Sequence, residues 1–146
     1  MKKLPDLFSE QTAGFHADFG QKPYETITPA ANSSVLFNRV LTNVGNGYDR
    51  NTGIFTAPFS GLYTFHLHFI GGLHKDKTEL AICAGGKAMA VAYADGYDAD
   101  NNDQGSCTAV IGLLNGEEVS VKVYLGNPLL WGSNLASFSG MLIHSD

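Results

Sequence analysis

Between residues 62 and 70 apolar and polar positions alternate. Tyr63, Phe65, Leu67 and Phe69 fall on one face of an extended chain, and Thr64, His66, His68 and Ile70 on the other. This period of two predicts a strand with one face in a core. Val119, Val121, Val123 and Leu125 alternate with Ser120, Lys122 and Tyr124 behind an Asn115-Gly116 turn, a dipeptide favoured in tight hairpins, and predict a strand with one wet face. Two other segments differ. In 108–114, Ala109, Ile111 and Leu113 alternate with Val110, Gly112 and Leu114, and in 138–143, Phe138, Gly140 and Leu142 alternate with Ser139, Met141 and Ile143. Both are apolar on both faces, whereas a monomeric sandwich has one interior. One sheet is therefore expected to pack on its partner sheet inside and on another subunit outside. Segments 15–19, 35–40, 53–56, 79–84 and 87–93 complete about ten strands. No helical period lasts beyond two turns, and no repeat or linker interrupts the series. The expected fold is all-β, a jelly-roll sandwich of two sheets, with residues 1–12 as a flexible lead-in and residues 13–146 as one domain.

Composition agrees with this reading and narrows the function. The 146 residues fit one domain of ~100–200 residues. Nine Phe, six Tyr and one Trp provide enough apolar surface to offset chain entropy, which excludes a disordered chain. Nine Lys and Arg against fourteen Asp and Glu give a net charge of −5, the wrong sign for neutralising phosphates, so nucleic acid is excluded as a partner. No apolar run approaches the ~20 residues that cross a bilayer, and membrane insertion is not expected. Met1-Lys2-Lys3-Leu4-Pro5-Asp6 has basic residues with no apolar stretch behind them. A secreted form would thus have had its signal peptide removed.

Motifs for catalysis are missing from the sequence. There is no Gly-x-Ser-x-Gly elbow and no His-Glu-x-x-His pair, and Gly45-Asn46-Gly47 lacks the third glycine of a dinucleotide site. No enzymatic activity is expected. His66 and His68 alternate on one strand, but packing against a neighbouring subunit or capping by backbone carbonyls explains them better than a metal does, and no metal is assigned there. Cys83 and Cys107 are open to two readings, one disulfide or two buried thiols. Asn32-Ser33-Ser34 meets the rule for an N-glycosylation acceptor. Trp131, in the loop 128–134, is either a stacking platform for a ligand or an aromatic packed edge-on. In the loop 95–104, Asp95, Asp98, Asp100 and Asp103 stand among side-chain amides, an oxygen density that suits calcium without the glycine and terminal glutamate of an EF-hand. A strand delivers Asp95 and another leaves after Asp103, so these two carboxylates can approach across the neck of the loop.

The run Asn43-Val44-Gly45-Asn46-Gly47-Tyr48-Asp49, followed by Thr52-Gly53-Ile54-Phe55-Thr56-Ala57-Pro58 and Gly61-Leu62-Tyr63-Thr64-Phe65, resembles the signature of the C1q globular-head domain. Leu114-Asn115-Gly116-Glu117-Glu118-Val119 and Phe138-Ser139-Gly140-Met141-Leu142 extend the resemblance over residues 13–144. It implies a jelly roll of about ten strands in the C1q and tumour-necrosis-factor superfamily, assembled as a trimer about a threefold axis. Tyr48 and Phe55 would be core aromatics, and Gly53, Pro58 and Gly61 would shape the turn between strands. Two departures stand out: Ser120 replaces a frequent Trp, and the sequence has no Gly-X-Y repeat, so the likeness is to head-only C1q-domain proteins abundant among invertebrates or to a head trimmed from a longer chain. Calcium-binding members of the family place one Asp after a Lys-Ala-Met strand and a second just before Gln, which implies a calcium site at Asp95 and Asp103. The family is secreted, and this favours a Cys83–Cys107 bridge. The function implied is that of a secreted, trimeric, lectin-like pattern-recognition protein of innate immunity that binds glycans or other surface molecules of microbes. The alternative is an adiponectin-like hormone or cytokine-type ligand that engages a cell-surface receptor. The resemblance carries over no ligand-contacting residue, because the signature lies in the scaffold and ligands are met by variable loops.

Overall fold

A computed structural model describes residues 11–73, 77–96, 103–126 and 129–146. Its strands in chain order are β1 (Gly14–Asp18), β2 (Thr26–Ile27), β3 (Arg39–Val44), β4 (Tyr48–Asp49), β5 (Ile54–Thr56), β6 (Gly61–Gly71), β7 (Lys77–Ala84), β8 (Lys87–Asp95), β9 (Asp103–Leu113), β10 (Glu118–Gly126), β11 (Leu130–Trp131) and β12 (Ser137–Ser145). A first antiparallel sheet has the order β3-β1-β12-β6-β9 and a second the order β4-β5-β10-β7-β8, while β2 and β11 form a separate ribbon. Two five-stranded sheets face to face are the jelly roll expected from the alternation. The expected lead-in falls outside the described residues except for its last two.

The sandwich is filled from both sides. Tyr63, Phe65, Leu67 and Phe69 of β6 are all buried, as their spacing required, and they meet Leu80, Ile82, Val119 and Val121 from the second sheet. An aromatic cluster closes the middle. Phe15 stacks on Tyr48 with ring centroids 4.9 Å apart and on Phe55 at 5.0 Å, and Phe138 meets it edge-on at 5.0 Å. Each such pair contributes about 0.5–1.5 kcal/mol beyond the area it buries. The buried Tyr48 hydroxyl donates to the Phe37 carbonyl at 2.9 Å, and burial raises its pKa, so the donor stays protonated. Gly140 of β12 makes the cluster possible, because a Cβ there would stand 2.5 Å from Phe65 Cδ1 and 2.9 Å from Phe15 Cε1. Gly53 turns the chain at a φ of +71°, a conformation that side chains disfavour.

Where the structure departs from the alternation, hydrogen bonding is the reason. Residues 35–40 were expected to form one strand, but only the end of that segment lies in a ladder. Ser34 bridges Lys122 and the Val35 N–H donates to Val121 O at 2.7 Å, both in the second sheet, whereas β3 begins at Arg39 in the first. The chain between them crosses from sheet to sheet while extended. Val35 and Phe37 are buried and Leu36 is exposed, so the period of two is real although no partner strand accompanies it. In β10 an irregularity between Val123 and Leu125 breaks the register and leaves Leu125 exposed, whereas the same alternation had placed it inside.

The first sheet has one ionic anchor that the sequence did not signal. Asp18, at the end of β1, is buried, and Arg39 at the start of β3 grips it with Nε to Oδ1 at 2.6 Å and Nη2 to Oδ2 at 3.0 Å. The carboxylate accepts both bonds in a parallel fork, and the hydrogen bond and charge of Asp18 raise the pKa of the exposed guanidinium.

Candidate functional site

The outer face of the first sheet carries the residues that made β9 and β12 look covered on both sides. Antiparallel register sets Val44, Gly14, Met141, Thr64 and Val110 in one row across all five strands. Met141 is 53% exposed, Val110 59%, and the neighbouring Ile143 and Leu114 51% and 65%. Leu41 and Leu62 extend this apolar surface. Such a contiguous patch on one sheet face is what a subunit contact requires.

The next rows of the same face are polar. Thr42, His16, Ser139, His66 and Thr108 share one row, and Ser137, His68 and Ser106 share the next. His66 Nδ1 lies 3.0 Å from Thr108 Oγ1. Half-burial of His68, and secondarily the charge of His16, lower the His68 pKa from its usual 6.5. No group of three His, Cys, Asp or Glu side chains among the described residues is placed to hold a metal ion.

At one end of the sandwich β8 and β9 bring Asp95 and Asp103 together. The Asp103 carboxylate accepts the Asp95 N–H at Oδ2 (3.1 Å) and the Gln104 N–H at Oδ1 (2.9 Å). The Tyr93 hydroxyl donates to Asp95 Oδ2 at 2.9 Å, and this bond is the main cause of a raised Tyr93 pKa. The neck of the loop is thus closed as the spacing implied, through side chain to backbone rather than carboxylate to carboxylate. Asp98 and Asp100 lie outside the described residues. Two carboxylates from one chain fall short of the ~6–8 oxygens that calcium takes, so a complete site needs oxygens from elsewhere.

The remaining sequence readings resolve differently. Both cysteines are free, which corrects the expected Cys83–Cys107 bridge. Cys83 pairs with Ser120 on the outer side of the second sheet, beside Lys122, whereas Cys107 faces inward and meets the Ile82 backbone. One sheet stands between them. Burial pushes the Cys107 thiol up to about 11. Trp131 pairs with Thr26 and meets Tyr24 in an edge-to-face contact, with centroids 5.6 Å apart at 79°, the packed arrangement of the two readings. Asn32 is exposed in a turn, with a φ of +60°, and an acceptor site there is accessible. Sequence reasoning missed a cleft that residues of the segment 19–38 wall together with Asn51 and Thr52. Residues so far apart in the chain carry no shared motif, and only the crossover that leaves Ser34 brings them together.

Two facing antiparallel sheets of this order define a jelly roll of the C1q and tumour-necrosis-factor class. The family model for the C1q domain matches residues 19–143. The chain belongs to the C1q domain family. Among solved structures it is similar to the globular domain of zebrafish complement 1qA, with a TM-score of 0.72 and 20% identity over 93% of this chain and 100% of that one. Eiger TNF from S. frugiperda matches with a TM-score of 0.68 and 11% identity over 92% and 94% of the two chains. Murine APRIL matches with 0.63 and 13% over 91% and 100%. At these identities the likeness is one of fold.

His68 makes stability depend on pH. With the folded-state pKa of His68 below 6.5, the unfolded chain takes up the proton first as pH falls. Stability is then full above pH ~6.5 and declines as acid is added through that value towards the lower folded-state pKa. Thermal unfolding at pH 5 and 7.5 will show a lower melting temperature in acid. His68→Gln should narrow that difference, and an unchanged difference would mean that other groups set it.

Proposed function

We propose that this chain is a secreted, non-enzymatic recognition protein that assembles as a homotrimer and binds glycans or other surface molecules of microbes through its loops. The observation that carries the assembly is the apolar outer face around Met141 and Val110, which in a single chain faces water. A cyclic trimer covers it by packing each copy against the next, with the polar histidine rows inside the same contact. Membership in the C1q family supports a ligand-binding role, and no described helix is long and apolar enough to cross a membrane. The fold likeness to Eiger TNF is the observation that favours the second reading, an adiponectin-like hormone or cytokine-type ligand acting on a receptor.

Light scattering at micromolar concentration should give three times the monomer mass of 15.6 kDa. Met141→Glu places an unpaired charge in the contact once per subunit, at several kcal/mol each, and should yield monomers that keep their β structure. A wild-type monomer, or a Met141→Glu trimer, would show that this face is not the contact.

A glycan array and a bacterial pull-down decide between the two functions. Saturable binding that free sugar competes away is the result expected of the lectin-like reading. Absence of any glycan or bacterial binding, with saturable binding to animal cells, would overturn it in favour of the receptor ligand.

Calcium is proposed as the cofactor, at Asp95 and Asp103. Asp103 already accepts two backbone N–H groups and Asp95 holds a tyrosine hydroxyl, which orients both carboxylates at the neck. Neighbouring subunits would bring the further oxygens, and calcium would offset the repulsion among them. Calcium at a hundred times its dissociation constant should stabilise the trimer by about 2.7 kcal/mol, and chelation should reverse this. Asp95→Asn combined with Asp103→Asn should abolish the effect. If the double variant responds as fully as the wild type, the ion binds elsewhere.

A further inference from the structure

The connection from β1 to β3 folds over a cleft of about 560 Å³, within the ~300–1,000 Å³ typical of small-molecule sites. Its floor is apolar, formed by Phe19, Ile27 and Val35, of which Phe19 and Val35 are fully buried. Its walls carry the amides Gln21, Asn38 and Asn51 and several hydroxyls, and none of the described lining residues is charged. From this lining the geometry points to a binding site for a neutral sugar, a hexose or N-acetylhexosamine, in the cleft between Gln21 and Asn38. This inference rests on the glycan-binding reading above and gives it a location.

Three features fit that ligand. First, the Asn38 amide has a fixed sense. Its Oδ1 accepts the Gly20 N–H at 2.6 Å, which a nitrogen in that place could not do, so Nδ2 is the atom left over as a donor. Second, the hydroxyls of Thr28, Ser33 and Thr52 line the same cleft as the Asn38 amide. Amides and hydroxyls match the hydroxyls of a sugar, each of which both donates and accepts, while the apolar floor takes the C–H face of the ring. Third, the absence of a charged group in the described lining disfavours an acidic sugar, since a buried carboxylate would find no cation there.

The second wall is rigid. The turn bearing Asn51 and Thr52 is tied to Asp49, whose Oδ1 accepts the Asn51 N–H at 2.8 Å and whose carbonyl accepts the Gly53 N–H at 2.8 Å. The turn before Ser34 carries the glycosylation acceptor Asn32, with Ser33 and Ser34 on the cleft wall, so a glycan attached there would stand at the rim. The test therefore uses protein made in bacteria, which leaves Asn32 unmodified.

Mannose, galactose, N-acetylglucosamine and N-acetylneuraminic acid are titrated separately into methyl-labelled protein and followed by NMR, alongside the glycan array. At least one neutral sugar should shift the Ile27 and Val35 methyl signals saturably, and N-acetylneuraminic acid should not. Asn38→Asp keeps the acceptor for Gly20 and loses the donor, and should weaken that sugar about tenfold or more. Ala30→Trp, an exposed substitution at the rim, should block the cleft without touching the core. If the array shows glycan binding that both variants retain, with the Ile27 and Val35 methyls unmoved, the site is overturned and the lectin-like reading stands. Methyl shifts caused only by N-acetylneuraminic acid overturn the neutral-sugar assignment. No binding to any glycan, on the array or in solution, overturns the reading and the site together.

Discussion

The fold turns on the contact between Phe15 and its aromatic neighbours. Phe15 projects from β1 into the interior, where Tyr48 and Phe55 of the second sheet stack on it and Phe138 of its own sheet meets it edge-on. Rings from both sheets therefore fix the separation of the layers at a single place. Gly140, the one position of β12 at that level without a side chain, lets Phe65 and Phe15 lie over the strand. The Tyr48 hydroxyl then draws in the Phe37 carbonyl, which holds the crossover segment against the core. Strand order, crossover and the cleft above it all depend on these rings being in register.

The inward half of the structure was legible because it obeys one rule. Burial by alternate positions predicted every core side chain of β6, and the paired apolar faces of β9 and β12 predicted an exposed apolar surface that the structure places on one sheet. The sequence pattern could not say which atoms each strand would hydrogen-bond. The segment 35–40 alternates without a ladder, and Leu125 turns outward at a break in register, since side-chain period reports burial and not pairing. Cys83 and Cys107 show the same limit from another side. Their separate strands were correctly read, but which face of its sheet each thiol occupies depends on register, and a whole layer lies between them.

The site was legible only in part, for a physical reason that differs from residue to residue. Asp95 ends β8 and Asp103 begins β9, strands of different sheets that follow one another in the chain, so their closeness follows from chain connectivity alone. Asp18 and Arg39 are joined across an irregular stretch of β1 and β3, where a shift in register hides the pairing from any simple count. The cleft brings Gln21 and Asn38 together through the return of the chain, and their only common mark in the sequence is polarity.

One feature of the crossover bears on how such a protein can change over generations. The chain from Gly20 to Ser34 is pinned at its ends, by the Gly20 bond to Asn38 and by the Ser34 bridge to Lys122, and in its middle by the β2 ribbon. Between those pins most side chains are exposed and few take part in the core. Replacements there alter the walls of the cleft at little cost to the sandwich beneath. Mutational tolerance and the proposed sugar site thus reside in the same short stretch, so the walls of the cleft can vary while the sandwich beneath is left intact.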